Sequence, residues 1–333
     1  MNHKLKFVLF AIPFILVACM PEDVPVSPFD RGNAIISQIV LESDYKWQSF
    51  FNLSENRELK RSLMNEWDLA FSCSDSSYTV LVNTATFMQI EDKGNVAFED
   101  ISSVKNPVFR AESPDGYDDI DSTAIRQWYD IVNNKVVSKN HVYIVNMGVT
   151  SIGRPLGNKK MMIIRADEIE YEIRVSDLNG KNDRNIIVKR NPNLNYVCIS
   201  LKNDEVFDFE PQSETWDLLF TKYTFSFYEP EYIPYSVTGV LINPKYVVAA
   251  VDTVHSYSEI TSDLIDSYQF SNKMDIIGYD WKKVDIETSV YTIYPNINYI
   301  IRDIKGFYYK LHFIDYYDDE GKKGAPKFEF QKL

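Results

Sequence analysis

The chain has 333 residues, 45% hydrophobic and 14% aromatic, with 22 tyrosines and 20 phenylalanines. This composition can fill sizeable cores and excludes a disordered polymer. Formal net charge is −13, and a surface of that sign repels phosphate backbones, which excludes nucleic acid as a partner.

The first element is "MNHKLKFVLFAIPFILVAC", with a short basic start, an apolar run from Phe7 to Val17, and then Ala18 and Cys19. A bilayer span needs about 20 apolar residues. The run falls short of that, so residues 1–18 read as a secretory signal. Leu16-Val17-Ala18-Cys19 resembles the bacterial lipobox, in which the signal is cut before the cysteine and that cysteine is acylated. Cys19 is therefore the expected lipidation site, and the mature chain is expected at the outer membrane or cell surface, held by its acyl chains. Residues 19–33 begin with acidic "MPEDVPVSPFD" and its three prolines, as expected of an extended tether. Losing Lys4 and Lys6 with the signal takes the charge to −15.

Next come two strand-like segments, "YKWQSFFNLSENRE" and "WDLAF" at Trp67 to Phe71. The second has a near twin 149 residues on, "WDLLF" at Trp216 to Phe220. Alternation along a strand puts Trp216, Leu218 and Phe220 on one face and Asp217 and Leu219 on the other. The same offset aligns Trp47 with Tyr196 and Phe50 with Ile199. Further on, "YEIRVSD" at Tyr171 to Asp177 matches "YKLHFID" at Tyr309 to Asp315 with an offset of 138. The polar stretch from Val149 to Lys160, with Gly153, Pro155 and Gly157, reads as a loop present in the first copy and missing from the second. We expect a tandem repeat of mostly β units, 34–184 and 185–333, antiparallel with few short helices.

Motifs of catalysis are absent: the chain contains no GxSxG, HExxH, CxxC, Walker loop or GxGxxG, and no enzymatic activity is expected. His141 opens the strand-like "HVYIV", and His312 sits inside "YKLHFID". The acidic runs Asp115 to Asp121 and Asp315 to Gly324 lack the ligand spacing of an EF-hand, and the second reads as a turn with Gly321 at positive φ. Cys73 and Cys198 read as two separate buried thiols.

Together, the lipobox, the "WDLLF" strand, "IGYDW" at Ile277 to Trp281 and "YYKLHFIDYYDDEGKKGAPKFEF" at Tyr308 to Phe330 resemble the HmuY family of outer-membrane haem-binding lipoproteins. The second copy carries most of the likeness; in the first, "IRQWYD" is a loose counterpart of "IGYDW". The resemblance implies two tandem HmuY-like antiparallel β units and a cleft for haem b or a related tetrapyrrole. It also implies uptake through a TonB-dependent outer-membrane receptor. Haem iron takes imidazole or thioether ligands and its propionates need cations. Between "WDLLF" and "IGYDW" lie His255 and Met274 as axial candidates, with Lys273 in the same segment and Lys282 and Lys283 just after Trp281 as propionate neighbours. The same region of the first copy holds no histidine and only Met88. The alternative function is a non-haem adhesion lipoprotein, or one that captures glycan or peptide, on the same fold.

Overall fold

The β-branched and aromatic runs form strands, as their side chains favour. The computed structural model describes residues 33–112, 114, 123–285 and 287–333. Cys19, the signal, nearly all of the tether and the run Asp115 to Asp121 lie outside them. In the first copy the strands are β1 (Ile35–Gln38), β2 (Trp47–Asn52), β3 (Arg57–Leu63), β4 (Leu69–Ser72), β5 (Val80–Val82), β6 (Gln89–Asp92), β7 (Arg110–Ala111), β8 (Tyr129–Val132), β9 (Lys135–Ser138), β10 (Val142–Asn146), β11 (Asn158–Ala166) and β12 (Glu170–Asp177). In the second they are β13 (Arg184–Lys189), β14 (Tyr196–Ser200), β15 (Glu205–Phe207), β16 (Leu218–Phe227), β17 (Ile233–Ile242), β18 (Val248–Asp252), β19 (Lys282–Val284), β20 (Tyr291–Ile293), β21 (Asn298–Arg302), β22 (Tyr308–Tyr317) and β23 (Lys323–Lys332). The described helices are short 3-10 turns such as Ser262–Ser267.

Four antiparallel sheets form successive layers, in the orders β13-β12-β11-β10-β6-β7, β15-β14-β4-β5, β17-β16-β2-β3 and β1-β23-β22-β21-β18. Three cores separate them. Phe71, Tyr143, Tyr171 and Val197 fill the first. Phe50, Ala70, Cys198, Trp216 and Leu219 fill the middle one. Phe51, Leu218, Phe220, Trp281, Phe313 and Phe328 fill the last. Strand β16 is thus buried on both faces. Trp216 precedes the strand and leaves its alternation: it packs in the core of Leu219, edge-on to Phe50 at 5.0 Å, and not with Leu218 and Phe220 as the sequence pattern implied.

The two copies interlace. Strand β14 of the second pairs with β4 of the first, while β2 of the first pairs with β16 of the second. In addition β1 closes onto β23, the last strand of the chain. The boundary expected at 184/185 therefore does not divide the chain into separate cores, and Gly32–Leu333 is one compact unit. The strands β4 to β15 complete one lobe from contiguous sequence, and the other lobe needs β1 to β3 as well as β16 to β23.

The structure also moves two of the sequence alignments. Asp68 Oδ2 accepts the N–H of Leu201 and Asp217 Oδ2 that of Leu53, both at 2.7 Å, so Leu53 corresponds to Leu201, one residue off the 149 offset. Lys160 Nζ donates to the carbonyls of Phe98 and Ile101, and Lys310 Nζ to those of Tyr257 and Ile260. That makes β11 the counterpart of β22, and β12, with "YEIRVSD", the counterpart of β23. Adjacent strands of one sheet share the same alternation, which is why the sequence match slipped by a strand. The loop is longer in the first copy, residues 147–157 between β10 and β11 against 303–307 between β21 and β22, but Asn158 to Lys160, which the sequence placed in it, open strand β11.

Candidate functional site

The chain turns sharply at "IGYDW". Gly278 has φ 59°, and Val240 bridges to it. A Cβ on the facing Gly239 would meet the Gly278 carbonyl oxygen at 2.3 Å, so glycine is needed there for the two backbones to touch. The turn puts Tyr279 beside β17, buries Trp281 on Phe313 with ring centroids 3.8 Å apart, and starts the β19–β20 hairpin.

Between this hairpin and strands β16 and β17 lies a cleft of about 400 Å³. Five tyrosines line it: Tyr45, Tyr235, Tyr279, Tyr291 and Tyr316. Tyr45 comes from the arm of the first copy, and its hydroxyl lies 3.4 Å from that of Tyr291. Burial raises the Tyr45 and Tyr316 hydroxyls well above the usual phenol range, and pushes Tyr279 up to about 12.

Three lysines share the lining: Lys222, Lys282 and Lys283. Lys282 is nearly enclosed. Its Nζ donates to the carbonyls of Thr238 and Tyr279 and sits 4.0 Å from the Trp281 ring centroid and 4.9 Å from that of Tyr316. Burial pushes this amine down to about 7, with exposed Asp280 opposing the shift. Lys222 is half-buried and also lowered by burial, while Lys283 is exposed. A cluster of cationic side chains within aromatic walls suits a planar aromatic anion.

The residues picked from sequence separate here. Lys282 and Lys283 line the cleft; Lys273 is exposed and does not. Met274 lines a different cavity, of about 70 Å³, in the middle core with Phe50, Trp67 and Trp216. His255 lines neither, so the structure does not bring the His255 and Met274 pair together. The His255 Nδ1 pairs with Asp252 Oδ2 at 2.8 Å. Burial alone would raise the Asp252 carboxyl, but bonds from Tyr268, His255 and Val254 hold it at about 2. His141 and His312 likewise pair with Asp92 and Glu329, and His312 stacks on Tyr257 at 4.1 Å. Among the described residues no group of three or more histidine, cysteine, aspartate or glutamate side chains could hold a metal ion. Cys73 and Cys198 are buried thiols in different cores.

Sequence reasoning missed Lys222 and the tyrosines. Tyrosine is spread along the whole chain, and only the fold gathers these five. Among the described residues the first copy does not repeat the cleft: Trp128 precedes and Tyr129 opens the β8–β9 hairpin, as Trp281 and Lys282 do at the β19–β20 hairpin. Tyr129 lines a hollow with Ser72, Ser74, Ser76 and Ser77, in which Tyr196 and a single lysine, Lys245, stand in place of five tyrosines and three lysines.

The chain matches the family described as "HmuY protein" over residues 44–330, in one span across both copies. No curated protein matches it. Among solved structures it is similar to apo PinO from Porphyromonas gingivitis, at 9% identity, covering 91% of this chain and 98% of that one, TM-score 0.29. It is also similar to the apo HmuY analogue TFO of Tannerella forsythia, at 8% identity with the same coverages, TM-score 0.32. A HmuY-like haem-binding protein from Bacteroides vulgatus is 16% identical, over 40% of this chain and 82% of that one, TM-score 0.22. Among the described residues no helix is long and apolar enough to cross a membrane.

Proposed function

The chain belongs to the HmuY family, and from that premise we propose that it is a lipid-anchored surface lipoprotein, without catalytic activity, that takes up haem or a related tetrapyrrole as cargo. It hands the cargo to a TonB-dependent outer-membrane receptor. The observation that carries this reading is the tyrosine-walled cleft with Lys222, Lys282 and Lys283 on it. The macrocycle lies against the tyrosine rings, and the propionates meet the lysines. Such a cluster matters more in a chain of net charge −13, because elsewhere the surface repels carboxylates.

The test is a titration of purified protein with haem, following the Soret band. A saturable change at one haem per chain is expected, since the serine-lined hollow of the first copy offers no lysine cluster. An unchanged spectrum would refute the reading. A second reading, capture of glycan or peptide, draws on the exposed aromatics Phe227, Tyr228, Tyr232 and Tyr235 around the β16–β17 turn, which can stack on sugar faces. It predicts binding to glycan arrays by protein that leaves the Soret band untouched.

A further inference from the structure

The donor set of the cleft carries a sharper statement, which rests on the tetrapyrrole reading above. We propose that this protein holds its cargo by the ring faces and the carboxylates alone, with no bond from the protein to iron, so that metal-free porphyrin is cargo on equal terms with haem. Iron in haem proteins takes imidazole, thioether, thiolate or phenolate ligands. Among the described residues the cleft lining contains no histidine, methionine or cysteine. Met274 sits in a cavity of about 70 Å³, far below the few hundred Å³ of a small-molecule site. All three described histidines lie off the cleft, each with one ring nitrogen on a carboxylate.

Phenolate is the remaining candidate, and a phenol must lose its proton to bind iron. Burial opposes that loss at Tyr45, Tyr279 and Tyr316. Tyr45 and Tyr291 direct their hydroxyls at each other. Tyr235 is 55% exposed and flanks Phe227, in reach of solvent, where a ring serves as a stacking surface.

What the cleft does supply is recognition of carboxylate. The Lys282 amine is enclosed, and its hydrogen-bond partners among the described residues are the neutral carbonyls of Thr238 and Tyr279. Exposed Asp280 acts on it only through charge and not by a hydrogen bond; an arriving carboxylate gives it a bonded counter-charge, and a charge-assisted bond in so dry a place is strong. Lys222 and Lys283 flank it for a second carboxylate. Binding then favours the charged amine, so cargo and a proton are taken up together, and affinity falls as pH rises above about 7.

The experiment compares haem with protoporphyrin IX on the full mature chain, by quenching of intrinsic fluorescence and by visible spectroscopy. Two dissociation constants within about threefold are expected, with no low-spin spectrum of protein-ligated haem. The Lys282→Met, Lys283→Met double variant should weaken both ligands alike, by about tenfold or more, at an unchanged thermal midpoint or a higher one. Haem tighter than porphyrin by more than about tenfold would overturn the proposal while leaving the tetrapyrrole reading intact. So would a low-spin spectrum abolished by His255→Ala or Met274→Ala, or a phenolate charge-transfer band removed by Tyr235→Phe. If neither ligand binds, the tetrapyrrole reading itself fails and this proposal with it.

Discussion

The carboxylate of Asp217 accepts the backbone N–H of Leu53 at 2.7 Å across a separation of 164 residues, and its other oxygen accepts that of Ile304 at 2.9 Å. Asp68 does the same for Leu201. The aspartate inside each Trp-Asp-Leu motif thus fastens the arm of the other copy, which is a reason for the motif to occur twice. Asp217→Ala leaves one buried and one half-buried N–H donor without that partner and should cost about 2 to 5 kcal/mol. The urea midpoint measures this, and a change below about 0.5 kcal/mol, the usual scale for surface substitutions, would contradict it.

How the lobes are completed makes the second prediction. A fragment 185–333 lacks β1 to β3, carries β13 without its partner β12 and the β14–β15 hairpin without β4, so it should show no cooperative melting transition. The antiparallel pairing sets Ile35 opposite Phe330, close to the chain end at Leu333. A permuted chain of residues 211–333 followed by a short turn and then 34–63 therefore makes β23 and β1 a hairpin, as β12 and β13 already are. That chain should regain β-rich circular dichroism and a sharp melt. Cooperative melting of 185–333 alone would show that the exchanged strands are dispensable.

Alternation of apolar side chains is a local property, and so the strands, the buried Trp-Asp-Leu motifs and the hairpin turn at Gly321 were legible in the sequence. Which copy a strand pairs with is not local. Strand β2 fits β16 and β4 on pattern alone, and the choice is settled by hydrogen bonds of Asp68 and Asp217 to residues more than a hundred positions away. The site divides the same way. Lys282 and Lys283 were found because they follow the Gly-Tyr-Asp-Trp turn, whereas Tyr45 and Tyr291 meet only after the arm of the first copy folds over the second. His255 and Met274 had suitable chemistry but lie in places the sequence could not assign.

Two buried carboxyls make stability depend on pH. Burial pushes Glu210 up to about 7 and Asp217 to about 6, against the backbone donors that favour their ionised forms. Both folded values lie above the unfolded ones, about 4.3 and 3.9, so the folded chain holds these protons more tightly. Stability should therefore fall as pH rises from about 4 to 7, by an amount that shrinks in Glu210→Gln. Asp252, held at about 2, works in the opposite direction, and its contribution is lost only as pH falls from about 4 towards 2. Chemical denaturation at several pH values at constant ionic strength checks the sign, and a midpoint rising steadily from about pH 4.5 to 7 would contradict it.

The lipobox reading makes anchoring depend on Cys19. Cys19→Ser should abolish incorporation of labelled palmitate and move the protein from the membrane fraction to the soluble or uncleaved form. Unaltered labelling and fractionation would refute the lipobox reading.

Lys282 is where stability and binding should diverge. The amine is held near 7 by burial, below its unfolded value of about 10.4, so the folded state prefers it neutral and stability should rise as pH increases from about 7 to 10. Lys282→Met keeps the volume and the contacts with Trp281 and Tyr316 and removes the cost of a buried cation without a carboxylate beside it. It also leaves the Thr238 carbonyl without that donor, which sets a limit on the gain. The variant should therefore match or exceed the wild type in thermal midpoint at about pH 7 and lose the pH dependence between about 7 and 10. It should also bind tetrapyrrole about tenfold more weakly or worse. A side chain kept at a position where it costs stability is expected where function requires it. A variant that is both less stable and fully competent in binding would make Lys282 a packing residue and move the cargo elsewhere.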